Sequence, residues 1–517
     1  MEMILLFMSV MFLFIFIFVK ARKQSSNFIK LPPAPRTLPM IGNLHQLISG
    51  PLLHQTLTDM AIKYGPIMHL KLGELSTIVV SSAEIAKEIM CDYDVIFAYR
   101  PSTLAAKILF YNCSDIAFSP YGDYWRQLRK ICTMELLSTK RVQDFKSIRE
   151  EEVHNMIRNI TQSVITRDDL NPDRYAANVS KMIFSLTYSI TARAAFGKNT
   201  KYQNEFLMIM EDVTKLIGSL SIADMYPSLK IVEVISGMRY KLEKMHKKID
   251  QIMGSILDEH KQGWKKSRNR EGMDIVDVLL DIQKSGDFGV QLTDDNIKAV
   301  IFDIFSAGGE PSATTSIWAM SEMIKNPRVL KRAQKEVREV FGDEGNVNEL
   351  FIHKLKYLQA VIKETMRLHP PLPLLLPREL LYSKELCKIN GYDIPKKARI
   401  IINAMAIGRD PMHWIEPNKF KPERFLDSEI DFKGTYFCYI PFGAGRRICP
   451  GMSFAIPNIE LLIAQLLYHF DWKLPNRELD MAEKFGLAVG RKNDLELIPI
   501  PYSCSSIIST QKELEKT

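Results

Sequence analysis

The sequence predicts one large, mainly α-helical domain with small β-sheets (the fold class), preceded by an N-terminal transmembrane helix. Three features carry that reading. Residues 3–19 form an almost unbroken apolar run, helical patterns dominate from Leu52 onward, and only short strand patterns interrupt them. Of 517 residues, 46% are hydrophobic and 25% charged, the balance of a globular chain with a sizeable core. Length alone would allow roughly two to four domains, but no Gly/Ser linker, internal repeat or charge block divides residues 45–500.

The run Met3–Val19 is broken only by Ser9, and at about 1.5 Å per residue it is just long enough to cross a hydrocarbon core. It begins after Glu2 and ends at Lys20, Arg22 and Lys23, the pattern of a retained signal anchor rather than a cleaved signal peptide. Those positive charges should stay cytosolic, leaving the N-terminus luminal and the body of the chain in the cytosol. Residues 1–23 are therefore the expected anchor. Residues 24–44 are a hinge stiffened by Leu31-Pro32-Pro33-Ala34-Pro35 and Pro39.

Residues 45–503 are the expected main body. Ile67–Leu72 and Thr77–Ser81 should pair as a hairpin through Gly73-Glu74, a second hairpin centres on Asn390-Gly391, and Arg399–Asn403 reads as a strand. Residues 119–135, 140–165, 203–218, 237–262, 292–325, 327–341, 355–368 and 452–471 read as helices. Residues 504–517 form a polar tail.

The net charge of +8 is modest for this size, and neither zinc-finger spacing nor a Lys/Arg stripe with interleaved aromatics occurs, so nucleic acid is not an expected partner. Seven scattered cysteines argue against a disulfide framework and for a reducing compartment. The triplets beginning at Asn112, Asn159 and Asn178 match the glycosylation pattern and read as chance matches.

The most informative segment is Pro441-Phe442-Gly443-Ala444-Gly445-Arg446-Arg447-Ile448-Cys449-Pro450-Gly451. A lone cysteine is usually an inert core residue. Here glycines, Gly445 among them, let the backbone approach a flat object, an arginine stands two residues before Cys449, and a helical pattern starts just after it. A helix N-terminus and nearby amide donors would stabilise a thiolate. Elsewhere, Glu364 and Arg367 share a helical face within Glu364-Thr365-Met366-Arg367, and Trp125 and Arg129 share another.

Together these motifs resemble the cytochrome P450 family, from the anchor to about Pro501, in the style of its plant microsomal A-type group. That resemblance implies a haem-thiolate oxidase with haem b as cofactor and a catalytic domain over residues 45–503. Cys449 would be the axial iron ligand, with Phe442 beside its sulfur. Arg447, Trp125, Arg129 and Arg378 would face the haem propionates. Glu364, Arg367 and Arg424 of Pro422-Glu423-Arg424-Phe425 would form a buried triad supporting the haem-binding loop.

One departure stands in the oxygen-binding segment Ala307-Gly308-Gly309-Glu310-Pro311-Ser312. Gly308 and Gly309 should leave room above the iron, and Glu310 matches the family's acid, but Pro311 replaces the usual threonine, whose hydroxyl aids proton delivery. Proline cannot donate a hydrogen bond, and Ser312 is rotated by about 100° along the helix. Hydroxylation with a rewired proton relay and oxidative ring closure or dehydrogenation both remain open, with the second preferred. A hydroperoxide rearrangement is disfavoured by the intact cysteine loop, and a non-enzymatic haem protein by the open pocket.

By the same resemblance the pocket draws on residues 103–117, on Phe302, Phe305, Ser306 and Ala307, on Leu372–Leu376 (Leu374 and Leu375 foremost), and on Leu487–Val489, including Ala488. Its lining is mostly apolar, which suits a lipophilic plant metabolite. The first expectation is a monoterpenoid indole alkaloid oxidase, of the kind that forms sarpagan bridges or oxidises geissoschizine. The alternative is a hydroxylase of a terpenoid or phenolic. Expected partners are O2, membrane lipid and an NADPH–cytochrome P450 reductase, approached by Arg126 and Lys130, with the chain a single-pass protein of the endoplasmic reticulum membrane.

Overall fold

The computed structural model describes residues 30–165, 176–197, 203–218, 221–263, 273–289, 291–342, 345–380, 387–475, 478–484 and 486–502. The expected anchor and polar tail lie outside them. Among the described residues no helix is long and apolar enough to cross a membrane.

Helices build most of the body. Six position the site: α1 (Leu53–Tyr64), α2 (Asp123–Ile131), α3 (Val179–Phe196), α4 (Asp294–Lys325), α5 (Lys356–Leu368) and α6 (Met452–His469). The 32-residue α4 forms the axis, with α3, α5 and α6 packed along it. It starts at a capping box in which Thr293 and Asn296 each take the other's backbone N–H, and it stops at Asn326, before Pro327. From Ser312 to Ile324 every residue of α4 is buried, so the helix is held by packing on all sides rather than by one amphipathic face.

That packing explains why Pro311 does not break α4, which continues through it. The two glycines before it also serve helix packing. A Cβ on Gly309 would stand 2.7 Å from the Tyr188 ring of α3, and one on Gly308 would stand 3.0 Å from Thr191. They bring two helices together.

Four strands form the main sheet: β1 (Ile67–Leu72), β2 (Leu75–Val80), β3 (Arg378–Glu379) and β4 (Arg399–Ile402), in the order β1-β2-β4-β3. β1 and β2 are the expected hairpin, with Ile67 opposite Val80. β4 runs parallel to β2 with Thr77 beside Arg399. The hinge docks on this sheet: the Asn43 N–H donates to the Lys71 carbonyl, and the His69 N–H donates to that of Pro33. A two-rung hairpin, β5 (Glu483–Lys484) with β6 (Gly490–Arg491), lies near the C-terminus.

The expected helices 203–218 and 327–341 coincide with those observed, and 237–262, 292–325 and 355–368 differ by one or two residues. The expected 452–471 stops at His469, where the chain turns into the strand Phe470–Lys473. The expected 119–135 is α2 followed by a wider turn at Cys132–Leu136, and 140–165 divides at Phe145. The Asn390-Gly391 hairpin forms between Cys387–Ile389 and Tyr392–Ile394. α3 was not predicted.

The expected triad is present. The fully buried Glu364 carboxylate takes Arg367 Nε at 2.7 Å and Nη2 at 2.8 Å, Arg424 Nε at 2.9 Å and the Lys421 N–H at 2.8 Å. Arg367 also donates to the carbonyls of Gly408, Pro417 and Lys419, binding α5 to the segment that leads into the cysteine loop. Glu364→Ala would strand two guanidiniums without their shared anion, and should cost about 3–5 kcal/mol in a denaturant melt.

A second ion pair joins the helices Met238–Gly263 and Ile275–Ser285, where His260 Nε2 lies 2.9 Å from Asp274. Burial works against the charged ring, but the Asp274 hydrogen bond and charge outweigh it and raise the imidazole from 6.5 to about 9. Its contribution is full below about pH 6.5 and is lost as pH rises through about 9. Stability followed from pH 6 to 10 should show that loss, and His260→Gln should abolish it.

Candidate active site

The cysteine loop is held from below by the segment before residue 98. Gly445 has φ +69° and the Met90 carbonyl lies where its Cβ would be, so only glycine fits. The constraint expected from a flat ligand thus comes from protein backbone at Gly445, which does not line the cavity. Asp94 fixes the same loop, accepting the Arg446 N–H at 2.8 Å and Arg378 Nη1 at 3.0 Å. The Cys449 N–H donates to the Phe442 carbonyl, and the cysteine sits three residues before α6 begins. Burial pushes the thiol up, while the Gly451 and Met452 N–H groups and the Arg129 charge pull it back toward thiolate.

Cys449, Phe442 and Gly443 open into a cavity of about 250 Å³ whose other wall is α4, at Asp303, Ile304, Ala307, Gly308, Pro311, Ser312 and Thr315. Trp125, Arg129, Arg378 and Arg447 also line it, as expected, and so does Arg100, which no spacing had singled out.

These arginines fall into two kinds. Arg378 pairs with Asp94 and also donates to the Ala444 carbonyl, so it helps to hold the cysteine loop as well as lining the cavity. Arg447 spends three donors on the carbonyls of Ala98, Ile116 and Ser119, and Arg100 donates to those of Ala117, Leu376 and Pro377. Neither they nor Arg129 forms an ion pair with a carboxylate among the described residues. Burial, with Arg378 nearby, brings the Arg447 guanidinium down to about 9, and burial lowers Arg100 and Arg129 as well. A wall with three cations and no paired anion, facing a thiol, fits a dianionic flat cofactor that the thiol can ligate. Haem meets that description.

Trp125 lines the cavity, but its single N–H goes to the Ile116 carbonyl at 3.0 Å, while its ring lies 4.2 Å from the Arg447 guanidinium carbon. It therefore fastens the Ile116 loop to α2. The Ile116 and Ala117 N–H groups both reach Asp303 Oδ2, at 3.1 and 3.0 Å. Burial pushes the carboxyls of both Asp303 and neighbouring Asp115 upward. The Ile116 peptide is thus pinned by α2, α4 and the cysteine loop together.

Above this cavity, and sharing Leu372 and Leu375 with it, is a second chamber of about 180 Å³. Thr103, Leu104, Leu374, Leu487 and Val489 line it, and Ala488 does not. Leu375, at φ +50°, is the left-handed corner of the turn that carries the shared wall. Four expected pocket residues, Ala488 among them, line neither chamber. Phe302 packs against Phe110 and Phe206, and Phe305 against Tyr188, Phe196 and Phe206, in the core between α4 and its neighbours. Ser306 Oγ donates to the Asp303 carbonyl and lines neither chamber. Glu310 is half-buried beside Tyr188 and also lies outside the cavity lining. The sequence reading missed Asp303 as a loop clamp, Ile304 and Arg100. Asp303 carried the only signal, an acid on an otherwise apolar helix stretch.

The family model described as Cytochrome P450 matches residues 32–497. The chain is 56% identical over 488 residues to tabersonine 16-hydroxylase 1 of Catharanthus roseus, covering 93% of this chain and 94% of that one. It is 54% identical to tabersonine 6,7-epoxidase isoform 1 of the same plant, with 94% and 95% covered. A solved zebra fish cytochrome P450 structure with progesterone matches at a TM-score of 0.70 and 25% identity, over 87% of this chain and 99% of that one. The thiol loop, the wall of unpaired arginines and these likenesses lead to one conclusion: the chain belongs to the cytochrome P450 family of haem-thiolate monooxygenases.

Proposed function

We propose that this enzyme inserts one atom of O2 into an indole alkaloid of the tabersonine kind, by hydroxylation or epoxidation. The observation that carries the reading is the apolar double chamber ending at Cys449, in a chain more than half identical to two enzymes named for tabersonine oxygenation. Haem, held by Cys449 with Arg100, Arg129 and Arg447 toward its propionates, would supply the oxygen-activating redox chemistry.

The protein's own part is positioning, exclusion of water and proton supply. Leu372, Leu375, Ile116, Ala117 and Ile304 present apolar surface and keep the reacting face dry. Pro311 offers no N–H to the Ala307 carbonyl, which leaves an acceptor without that backbone donor on a residue lining the cavity. Ser312 Oγ donates to the Gly308 carbonyl and Thr315 Oγ1 to that of Pro311, and both residues line the same wall. Each hydroxyl keeps lone pairs for a water, so this wall can order water for proton delivery without the usual threonine.

The chain is also proposed to be a single-pass protein of the endoplasmic reticulum membrane, anchored by residues 1–23, with the catalytic body cytosolic. Supporting that placement, Met40, Ile48, Ile222 and Ile235 are exposed apolar residues. Tyr226 Oη donates to the Met40 carbonyl, which joins the segments they belong to. An NADPH-oxidising flavoprotein reductase is the proposed electron donor.

Pro311 keeps ring closure or dehydrogenation as a second reading. Turnover of tabersonine-type alkaloids in reductase-containing microsomes under labelled O2 separates the two. Product carrying one labelled atom is expected, and product lacking two hydrogens and any label would establish the second reading. Cys449→Ala should abolish turnover and the carbon monoxide difference band. Pro311→Thr should leave the product unchanged and lower the NADPH consumed per product.

A further inference from the structure

The β5–β6 hairpin is too short to hold itself. Its ladder has two rungs, Gly490 opposite Lys484 and Arg491 opposite Glu483, and a hairpin alone is marginal even when longer. Yet its tip supplies Leu487 and Val489 to the upper chamber. Something outside the hairpin has to fix the tip.

The legs show what does. On one, Glu483 Oε2 takes His54 Nε2 at 2.8 Å and Gln55 Nε2 at 2.7 Å, both from α1, while Oε1 lies 3.8 Å from His369 Nδ1. His369, just past α5, sets its other nitrogen 2.8 Å from Glu322 of α4 and stacks on Trp318 at 4.1 Å and 5°. On the other leg, Arg491 donates to Ser321 of α4. The tip itself is tied by Trp318 Nε1 to the Val489 carbonyl and by the Val489 N–H to the Pro371 carbonyl. Glu483 and both histidines are largely buried. Burial disfavours the Glu483 charge, but His369 and His54 hold the carboxyl well below the usual carboxylate range.

We propose that Glu483, acting through His54 and His369, is a positioning residue that sets where Leu487 and Val489 stand in the substrate chamber, and so controls which large ligands fit. A buried carboxylate between two histidines is a costly way to glue loops, because removing either side leaves a buried charge uncompensated. Its gain is geometric: it references the tip to α1, α5 and α4 at once. The weak link is His369 Nδ1, buried and without a hydrogen bond.

The test uses the full-length, haem-loaded protein and spectral titration with two nitrogen ligands, bulky ketoconazole and small imidazole. This readout is independent of the alkaloid reading and of turnover. Glu483→Ala should weaken ketoconazole about tenfold and leave imidazole unchanged, with the carbon monoxide difference band intact. It should also speed deuterium exchange at the Val489 amide. Glu483→Gln, which keeps the hydrogen-bonding shape, should fall between Glu483→Ala and the native chain. If Glu483→Ala fails to hold haem, Glu483→Gln decides alone: selective weakening of ketoconazole supports the proposal. Equal weakening of both ligands, or no change in either, overturns it.

Discussion

Burying guanidinium groups is the constraint on which the rest of this structure depends. Each has to be matched by an anion or by several carbonyls, because a bare charge in the interior is prohibitive. Arg149 pairs with Glu349, Arg367 and Arg424 share Glu364, and Arg378 has Asp94. These matched pairs lock helices and loops. Among the described residues Arg100, Arg129 and Arg447 pair with no carboxylate, and all three line the cavity that Cys449 enters. The convergence of three such guanidiniums on one cavity that also holds a thiol marks where an anionic cofactor belongs. Their charge also acts on the ligand: Arg129 is one of the influences drawing the Cys449 thiol toward thiolate.

Much of this was legible in the sequence because its signals were local. The periodic helices, the Gly73-Glu74 and Asn390-Gly391 turns and the frame around Cys449 each carry their meaning over a short stretch of chain. Glu364, Arg367 and Arg424 were legible only through their family spacing, since two of the four hydrogen bonds to Glu364 cross to another segment. α3 escaped because it is buried around most of its circumference, so Val179–Phe196 shows no period-3.6 stripe. Phe302 and Phe305 were misread for a related reason. They are on the right helix, but rotation places them against α3 and Phe206, and rotation about a helix buried on every side cannot be read from hydrophobicity.

The glycines show the same limit. A glycine announces that a Cβ is unwelcome without saying what excludes it. At Gly445 the excluding group is the Met90 carbonyl, and at Gly309 it is the Tyr188 ring. Neither is the cofactor that the motif suggests. The Gly308–Gly309 stretch of α4 is therefore shaped from behind, by close contact with α3, on the helix that carries Pro311 without a break.

The Ile116 peptide has a consequence for how specificity can change. Its N–H and carbonyl, with the neighbouring Ala117 N–H, are gripped by Asp303, Trp125 and Arg447, and none of these contacts uses a side chain of the loop. Residues 116 and 117 line the cavity, and none of the hydrogen bonds that hold the loop depends on their side chains. The backbone serves as a fixed mount on which side chains can be exchanged. Selection can reshape the space beside the reacting centre at these two positions while the cofactor's surroundings stay in place, so related enzymes can diverge in substrate without rebuilding their chemistry.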